Sequence, residues 1–429
     1  MVERSVWYRL PEEVTERIFS YLPIASVLRC RCVCRSWNSL LNSRSFLELW
    51  GRVSPRDFFF LVYHNSQLVA AYSPSSGRWN NLPIFDRCSL DPGRVLLLAS
   101  SGGLLCFRNR NSDYPTLIVC NPVTGTSRVL PEMLRVRYID IVGMVADKAS
   151  NSYRVLVTGT TEPTSNESIT EVYDSRVEGW IHHGFSKLDF LQVWYEVHAI
   201  WQNGSFYCLA TPVNTARGYR FICYNLERRQ WLDLNVKMPS SDIRSPSLVV
   251  CGDKILLTGK IVVDYFIRSI CIWELNWGNL KWVRVGEMPE DELTKIMSPY
   301  SVLLQCQGLN DLMCFSTHRG WQSIMYDLSE RRWQWLPEND AYEKNHTVAM
   351  GRNSLIGLPY EPSLSAKETR TLVGLHCYVK AVSCMRLFQL LRVMLDQLMR
   401  VHGCVRSRFV FCSGGMTGNR PSQRFLIPL

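Results

Sequence analysis

Tryptophan recurs at a fixed interval along the middle of this chain of 429 residues. Trp180, Trp231, Trp282 and Trp333 are each separated by 51 residues, and Trp79 precedes Trp180 by 101 residues, close to two intervals. A period of roughly 20 to 50 residues is typical of chains built from one repeated supersecondary unit. The sequence therefore predicts stacked repeats rather than one ordinary core.

Each repeat predicts short strands separated by tight turns. Around each Trp position an apolar run, a polar turn and a second run follow one another, within residues 71–83, 119–131, 171–184, 222–234, 271–285 and 325–337. The turns contain residues that tolerate sharp reversal of the chain, namely Pro74–Gly77, Pro122–Gly125, Asp174, Asn225 and Asp327. Further hairpin signals stand upstream, at Gly102-Gly103, Asn203-Gly204, Gly252-Asp253 and Asn310-Asp311.

About four strands in roughly 50 residues is the blade of a β-propeller. We predict a mainly β chain with a kelch-type propeller of about six blades at residues 56–364, closed by a strand or hairpin around Val348–Leu358. Two units depart from the pattern. The second has Ser127 where Trp is expected, and in the fifth we expect two inserted residues between Trp273 and Trp282.

A Trp at the same place in every repeat predicts packing between blades, where it buries about 200 Å². We assign this structural role to the five periodic residues, Trp79, Trp180, Trp231, Trp282 and Trp333. A ligand would instead contact loops that differ between repeats. The candidate loops are Arg135–Tyr138, Thr160–Ser168, Thr211–Tyr219, Ser240–Ser245 and Met288–Ser298, and the sequence leaves open which of them share one face.

Residues 1–50 predict three short helices. Pro11 begins the first, with Glu12 and Glu13 in its first turn, and Pro23 ends it. Its predicted apolar stripe is Val14, Ile18, Tyr21 and Leu22. Ser26 is the predicted cap of a second helix, whose stripe is Val33, Trp37, Leu40 and Leu41, and Ser45 begins the third. Such small helices cannot bury all their apolar faces, so either a partner or the rest of the chain covers them.

This segment resembles an F-box, the module that binds a Skp-family adaptor. The resemblance rests on Leu10-Pro11-x-Glu13, Ile18, Leu22-Pro23, Val27-Leu28, Cys32–Arg35 and Trp37, in this order and spacing. It implies adaptor binding by apolar burial between helices, without catalytic chemistry. The implied adaptor-binding residues, some of which would belong to the module's own core, are Leu10, Pro11, Ile18, Leu22, Pro23, Leu28, Val33, Cys34 and Trp37.

The propeller span is similar to the plant F-box/kelch-repeat proteins, including the string CIWEL at 271–275 and PYEPSLSA at 359–366. The resemblance implies the substrate-recognition subunit of a Skp–cullin–F-box ubiquitin ligase, with a protein target on the propeller. Its partners would be a Skp-family adaptor and, through it, a cullin. A propeller scaffold or small-molecule receptor that works without the ligase is the alternative.

Residues 365–429 lie outside the resemblance. From Pro362 onward ten Lys and Arg stand against two Asp and Glu, so most of the chain's net charge of +10 belongs to this tail. The rest offers no basic footprint for nucleic acid. A helix is predicted near residues 383–401, where four charges argue against a membrane span. It could bind a membrane surface or a partner helix, or have no dedicated role.

The thiols and imidazoles predict neither a metal site nor an enzyme. Sixteen Cys without a secretory signal indicate a reducing compartment, so we expect the cytoplasm or the nucleus. Cys30, Cys32 and Cys34 are clustered, but no second pair stands at the spacing of a zinc site. The eight His form no metalloprotease or carboxylate signature. We therefore expect no cofactor and no catalytic residue.

Overall fold

The chain was analysed as a computed structural model, which describes residues 10–54, 57–64, 68–82, 84–110, 114–162, 165, 167–186, 197–211, 218–296, 304–317, 323–338, 355–364 and 366. These residues fall into two compact units that divide at residues 55 and 56. The first contains the helices of residues 10–54, and the second contains every described strand. The helix predicted near 383–401 lies outside the described residues.

The first unit contains four helices rather than the predicted three: α1 (Glu12–Ser20), α2 (Ile24–Arg31), α3 (Arg35–Leu40) and α4 (Arg44–Val53). The predicted second helix is broken at residues 32–34, because the Cys34 backbone is extended and its Sγ accepts the N–H of Trp37 at 3.4 Å as a helix cap. Neither Gly nor Pro marks this break, so the sequence pattern did not show it.

Proline begins both α1 and α2. Pro11 occupies the N-cap position of α1, and Glu12 and Glu13 follow it in the first turn. Their negative charges interact favourably with the positive end of the helix dipole. Pro23 occupies the N-cap of α2, so the predicted cap Ser26 is wrong; it lies buried inside that helix. The cap of α4 was misplaced by two residues, since the Ser43 hydroxyl accepts the N–H of Phe46 at 3.1 Å.

The second unit contains 24 described strands in five sheets. Four sheets have four strands each, and the fifth has eight, because the first strands of two four-stranded groups, named blades 3 and 4 here, pair with each other. Blade 1 comprises β1 (Phe59–His64), β2 (Leu68–Ser73), β3 (Arg78–Asn81) and β24 (Leu355–Tyr360). Blade 2 comprises β4 (Val95–Ser101), β5 (Leu104–Asn109), β6 (Thr116–Asn121) and β7 (Thr126–Val129). Blade 3 comprises β8 (Tyr138–Asp147), β9 (Ser152–Thr160), β10 (Ser168–Asp174) and β11 (Gly179–Ser186).

The remaining groups follow the same order. Blade 4 comprises β12 (Val197–Gln202), β13 (Ser205–Ala210), β14 (Arg220–Asn225) and β15 (Gln230–Asp233). Blade 5 comprises β16 (Ile243–Cys251), β17 (Lys254–Val263), β18 (Phe266–Asn276) and β19 (Lys281–Glu287). Blade 6 comprises β20 (Leu304–Leu309), β21 (Leu312–Thr317), β22 (Ser323–Asp327) and β23 (Arg332–Trp335). Short helices α5 (Ile84–Cys88) and α6 (Glu290–Ile296) lie in two of the links between blades.

The inner strands form a closed ring. Each lies beside the next in the order β24, β4, β8, β12, β16 and β20, and β20 again lies beside β24. Strand β24 also pairs antiparallel with β1, so the last described strand completes the first blade. The predicted closing strand around Val348–Leu358 is thus displaced, because the strand begins at Leu355; residues 348–354 lie outside the described part.

The third strand of every blade ends in a residue whose side chain builds the following turn. In blade 3, Asp174 accepts the N–H of Arg176 at 2.9 Å; in blade 4, Asn225 accepts that of Arg228 at 2.8 Å. The equivalent residues are Ser73, Asn121, Asn276 and Asp327. Asx and hydroxyl side chains can replace a backbone acceptor in this way, which confirms the predicted turns.

Six residues after each of these positions stands the periodic Trp, or Ser127 in blade 2. In blade 5 Asn276 and Trp282 keep the same separation, and Leu275 pairs with Trp282 as Tyr173 pairs with Trp180. The two-residue insertion predicted before Trp282 is therefore wrong. It arose from aligning Trp273 with the tyrosines of the other blades, although Leu275 occupies that place.

The periodic side chains reach the preceding blade. The indole N–H groups of Trp180 and Trp79 donate to the carbonyls of Pro131 and Pro337, both at 2.7 Å. Similar bonds run from Trp231 to Thr170 and from Trp333 to Glu287, and in blade 2 Ser127 donates to Cys88. A buried indole N–H requires such an acceptor.

Candidate functional site

Two of the nine predicted adaptor-binding residues lie inside the N-terminal unit. Ile18 and Leu22 are only 7% and 2% exposed, on the face of α1 that also buries Phe19. The Leu22 carbonyl accepts the indole N–H of Trp50 at 3.0 Å, which joins the end of α1 to α4. These side chains hold the helices together and are not available to a partner.

Three more of the predicted residues are half-buried: Leu10, Leu28 and Trp37. The Trp37 ring meets the ring of Phe19 edge to face, with centroids 4.7 Å apart. This aromatic pair connects α3 to α1 and leaves part of the indole at the surface. Trp37 can therefore serve the unit's own core and a partner at once.

Four predicted residues are exposed: Pro11, Pro23, Val33 and Cys34. The structure adds two apolar side chains that the predicted set lacked: Val14 in α1, 42% exposed, and Tyr21 at the C-cap of α1, 38% exposed. Their spacing of seven residues places them on one side of the helix. The predicted stripe of α1 is thus wrong in part, because the buried face consists of Thr15, Ile18, Phe19 and Leu22.

The thiols of this unit differ in exposure. Cys30 is fully buried, and burial raises the pKa of its thiol to about 12. Cys32 and Cys34 are exposed, and Cys34 serves as the cap of α3. Nowhere in the described ranges do three or more His, Cys, Asp or Glu side chains come together in a way that could hold a metal ion.

In the second unit, the directions of the strands determine at which of the two ends of the propeller each connecting loop lies. The four strands of each blade alternate in direction, and the inner strands β8 and β12 run parallel. The inner strands β4 and β24 also point in the same direction, because Ser100 and Pro359, each near the C-terminal end of its strand, are joined by a hydrogen bond of 2.5 Å. Every link between blades, and every turn from a second to a third strand, therefore starts and finishes at one end.

We call this the long-connection end. All five predicted candidate loops belong to it, which the sequence left open: residues 135–138, 240–245 and 288–298 are in links between blades, and residues 160–168 and 211–219 join second to third strands. Parts of 163–166, 212–217 and 297–298 lie outside the described residues. The opposite, short-turn end carries the uniform turns that precede the Trp positions and turns such as Asn203-Gly204.

One link at the long-connection end is held by a buried carboxylate. The Glu171 side chain is fully buried and accepts the backbone N–H groups of Leu134, Arg135 and Val136 at 2.7, 2.6 and 3.1 Å. Three converging N–H donors satisfy the buried charge. The path of this link is therefore fixed, which suits a surface that must present side chains in one arrangement.

Exposed apolar side chains occur at two places at this end. Beside the Glu171 link are Tyr114, Leu134 and Tyr138, about half exposed, with the Arg137 guanidinium 5.1 Å from the centre of the Tyr114 ring. On blade 5 are Val263, Tyr265 and Phe266. An arrangement of this kind can bind another protein, because aromatic and Arg side chains dominate protein interfaces.

Both units match known families. Residues 7–56 match the F-box-like family, and residues 71–310, more than half of the chain, match the KIB1-4 beta-propeller family. The chain belongs to the KIB1-4 beta-propeller family. Its N-terminal helices match the F-box-like family, as the resemblance predicted.

Several curated plant F-box proteins are similar in sequence to most of this chain. F-box only protein 6 of Arabidopsis thaliana is 26% identical, covering 85% of this chain and 76% of that protein. Protein UNUSUAL FLORAL ORGANS of the same species is 22% identical over 78% of this chain and 80% of its own. SKP1-interacting partner 15, also of Arabidopsis thaliana, is 24% identical over 76% and 91%.

Two described side chains have pKa values shifted towards the range of catalytic acids and bases. Asp140, on the inner strand β8, is half-buried, and burial raises the pKa of its carboxyl to about 6. His183 lies 2.5 Å from the Tyr224 hydroxyl, and burial lowers its pKa to about 4. Among the described residues, no hydrogen bond joins Asp140 to His183, and a catalytic acid–base pair requires such mutual contact. No described helix has the length and apolar character required to cross a bilayer.

Proposed function

We propose that this protein is the substrate-recognition subunit of a Skp–cullin–F-box ubiquitin ligase in the cytoplasm or the nucleus. Its F-box-like helices bind a Skp-family adaptor and, through it, a cullin, and its propeller binds a protein target. The observation that carries the proposal is the exposure of four apolar side chains, those of Pro11, Val14, Tyr21 and Val33, on a module that matches the F-box-like family. The relative named SKP1-interacting partner 15 supports the same partner.

The exposed apolar residues, rather than the buried Ile18 and Leu22, would make the adaptor contact. Val14, Tyr21 and Val33 are each about two-fifths exposed, so a partner helix can bury their remaining surface at roughly 25 cal/mol per Å². Ile18 and Leu22 act indirectly, since they fix the helices that present this surface.

The chain contributes position rather than chemistry. Ten of the twelve described thiols are buried, and burial raises the pKa of Cys223 to about 11 and those of Cys251 and Cys314 to about 12. A buried, protonated thiol is a poor nucleophile, so these groups are unsuited to carrying ubiquitin as a thioester. Holding the target near a ubiquitin-loaded enzyme raises its effective concentration instead.

The decisive experiment is copurification of adaptor and cullin with the full chain. The test variant is V14E/V33E, which places charges on the proposed adaptor surface without entering the core. The matched control is V177E, at a propeller side chain that is 65% exposed. We expect the wild type and V177E to retain both partners and V14E/V33E to lose them, with unchanged thermal unfolding of all three.

Failure of the wild type to bind an adaptor would overturn the proposal. Leu22→Asp is unsuitable as a test, because a charge at this buried position would unfold the helices and remove binding for the wrong reason. Deleting residues 1–50 should also abolish turnover of the target; unchanged turnover would favour a propeller that works without the ligase.

A further inference from the structure

Blade 5 carries an unusually long hairpin at the long-connection end. Strands β17 and β18 have 10 and 11 residues, whereas the corresponding strands of blades 4 and 6 have five or six. Val263 pairs with Phe266 across a turn of two residues, Asp264 and Tyr265. The turn extends beyond the start of β16, because Asp242, which precedes that strand, already accepts the N–H of Val262.

The turn holds a bulky residue where the backbone favours glycine. Asp264 and Tyr265 have φ of +50° and +65°, the left-handed pair of a tight hairpin turn. The second position of such a turn is usually Gly, and a bulky side chain there is strained. Strain of this kind is retained where a side chain is needed for function.

The side chains of this turn are largely exposed among the residues that the structure describes. Tyr265 is fully exposed and Phe266 is 66% exposed. The Arg268 guanidinium lies 5.7 Å from the centre of the Phe266 ring and makes no ion pair within the described ranges. The base of the hairpin is rigid, because Ile270 and Ile272 are fully buried. Rigid aromatic and Arg side chains lose little entropy when they bind.

We propose that the blade 5 tip, defined as Val263, Asp264, Tyr265, Phe266 and Arg268, is the contact through which the propeller binds its protein target. The target presents an apolar cleft that receives Tyr265 and Phe266. A carboxylate at the rim of this cleft pairs with Arg268, whose charge has no acid opposite it in the described chain. The inference rests on the proposed function and names the kind of surface that the target offers.

A protein fits this tip better than an anionic membrane does. Asp264 stands at the turn itself, so the tip carries one negative and one positive charge and no net attraction to acidic lipids. The strained, fixed turn also suits a shaped cleft, whereas a fluid lipid surface requires no such fit.

The test compares full-length proteins in complex with the adaptor. The tip variants are Y265N/F266T and R268E, and the matched controls are V177T and R228E, at exposed positions of the short-turn end. Proteins that copurify are compared by quantitative mass spectrometry. Those that depend on the tip are then purified as the probe for direct binding and for ubiquitination by the reconstituted ligase.

We expect at least one such protein to bind both tip variants more than tenfold more weakly and the controls within about twofold, with its ubiquitination lost in parallel. All variants should unfold at the wild-type temperature or above, since the altered side chains are exposed. Absence of any tip-dependent protein overturns the inference. So does tip-dependent binding to vesicles of phosphatidylcholine and phosphatidylserine, or tip-dependent self-association in sedimentation.

The two proposals fail differently. If the wild type does not bind the adaptor, the ligase function falls, and the full chain can still be compared with its tip variants for protein binding. If the adaptor binds but the copurifying proteins are the same with and without the tip, only the inference about blade 5 falls.

Discussion

The indole N–H of Trp79 in blade 1 donates to the carbonyl oxygen of Pro337, just after blade 6, at 2.7 Å. These residues lie 258 positions apart, so the bond joins the first blade of the chain to the last. Trp180 makes the equivalent bond between consecutive blades. The ring is therefore closed by the same contact that links its neighbours, in addition to the pairing of β24 with β1.

Because β24 closes the ring, we predict that the stability of the propeller depends on this strand, which lies far in sequence from the other strands of blade 1. A chain that stops after residue 354 lacks β24, which leaves the inner edge of β1 unpaired and removes the neighbour that β20 has on that side of the ring. We expect a loss of stability beyond the roughly 0.5–3 kcal/mol of a single substitution, with a lower melting temperature and rapid proteolysis.

A chain that stops after residue 376 is the control, because it retains every described propeller residue. It should melt cooperatively at the temperature of the complete propeller, as measured by circular dichroism. Equal melting of the two truncated chains would show that β24 does not stabilise the ring.

The indole hydrogen bonds predict a difference between two tryptophans of the same repeat position. Trp180 donates to Pro131, whereas the buried indole N–H of Trp282 has no acceptor among the described residues. Trp180→Phe should lower the free energy of unfolding by about 1 kcal/mol more than Trp282→Phe, since only the former loses a hydrogen bond. Urea unfolding of both variants measures this difference, and equal losses would contradict it.

Sequence periodicity could predict these positions because every blade repeats the same backbone geometry. A fixed separation of six positions from Asn225 to Trp231, and from Asp327 to Trp333, appears directly in the sequence. The helical module was recognisable for a similar reason, since Pro11 marks a helix start and Pro23 stops the preceding helix, although its place as the N-cap of α2 was not predicted.

Other features required three-dimensional information. Ile18 is buried and Val14 is exposed because of the way α1 packs against α4. Both residues are apolar, so their sequence alone does not reveal this difference. The candidate loops lie at one end of the propeller. This could be established only when the number and direction of all strands in each blade were known. The turn at Asp264-Tyr265 was missed because this pair lacks the Gly that usually marks a two-residue hairpin.

The carboxylate of Glu171 predicts a strong local effect on the link that it holds. Glu171→Ala removes the acceptor of three backbone N–H groups, at Leu134, Arg135 and Val136, so we expect a loss of about 3 kcal/mol or more. Hydrogen exchange of these amides should accelerate. Glu167→Gln, at an exposed position near the start of β10, is the control and should change neither quantity.

His183 predicts that stability depends on pH below neutrality. Its pKa is lowered from 6.5 to about 4, first by burial and then by electrostatic repulsion, of which Arg229 is the largest source. Between these values the unfolded chain binds a proton at this residue and the folded chain does not. The stabilisation from His183 is therefore complete above pH 6.5 and is lost as the pH falls from 6.5 towards 4.

The comparison with His183→Asn isolates this contribution, because Asn does not titrate and can retain a hydrogen bond to the Tyr224 hydroxyl. We expect the difference in unfolding free energy between wild type and variant to shrink as the pH falls, measured by urea unfolding from pH 7 to 4.5. Tyr224→Phe is the control: it removes the hydrogen bond, at a cost of about 1 kcal/mol, and leaves the imidazole buried. A difference between wild type and His183→Asn that is the same at every pH would show that His183 is not held neutral in the folded protein.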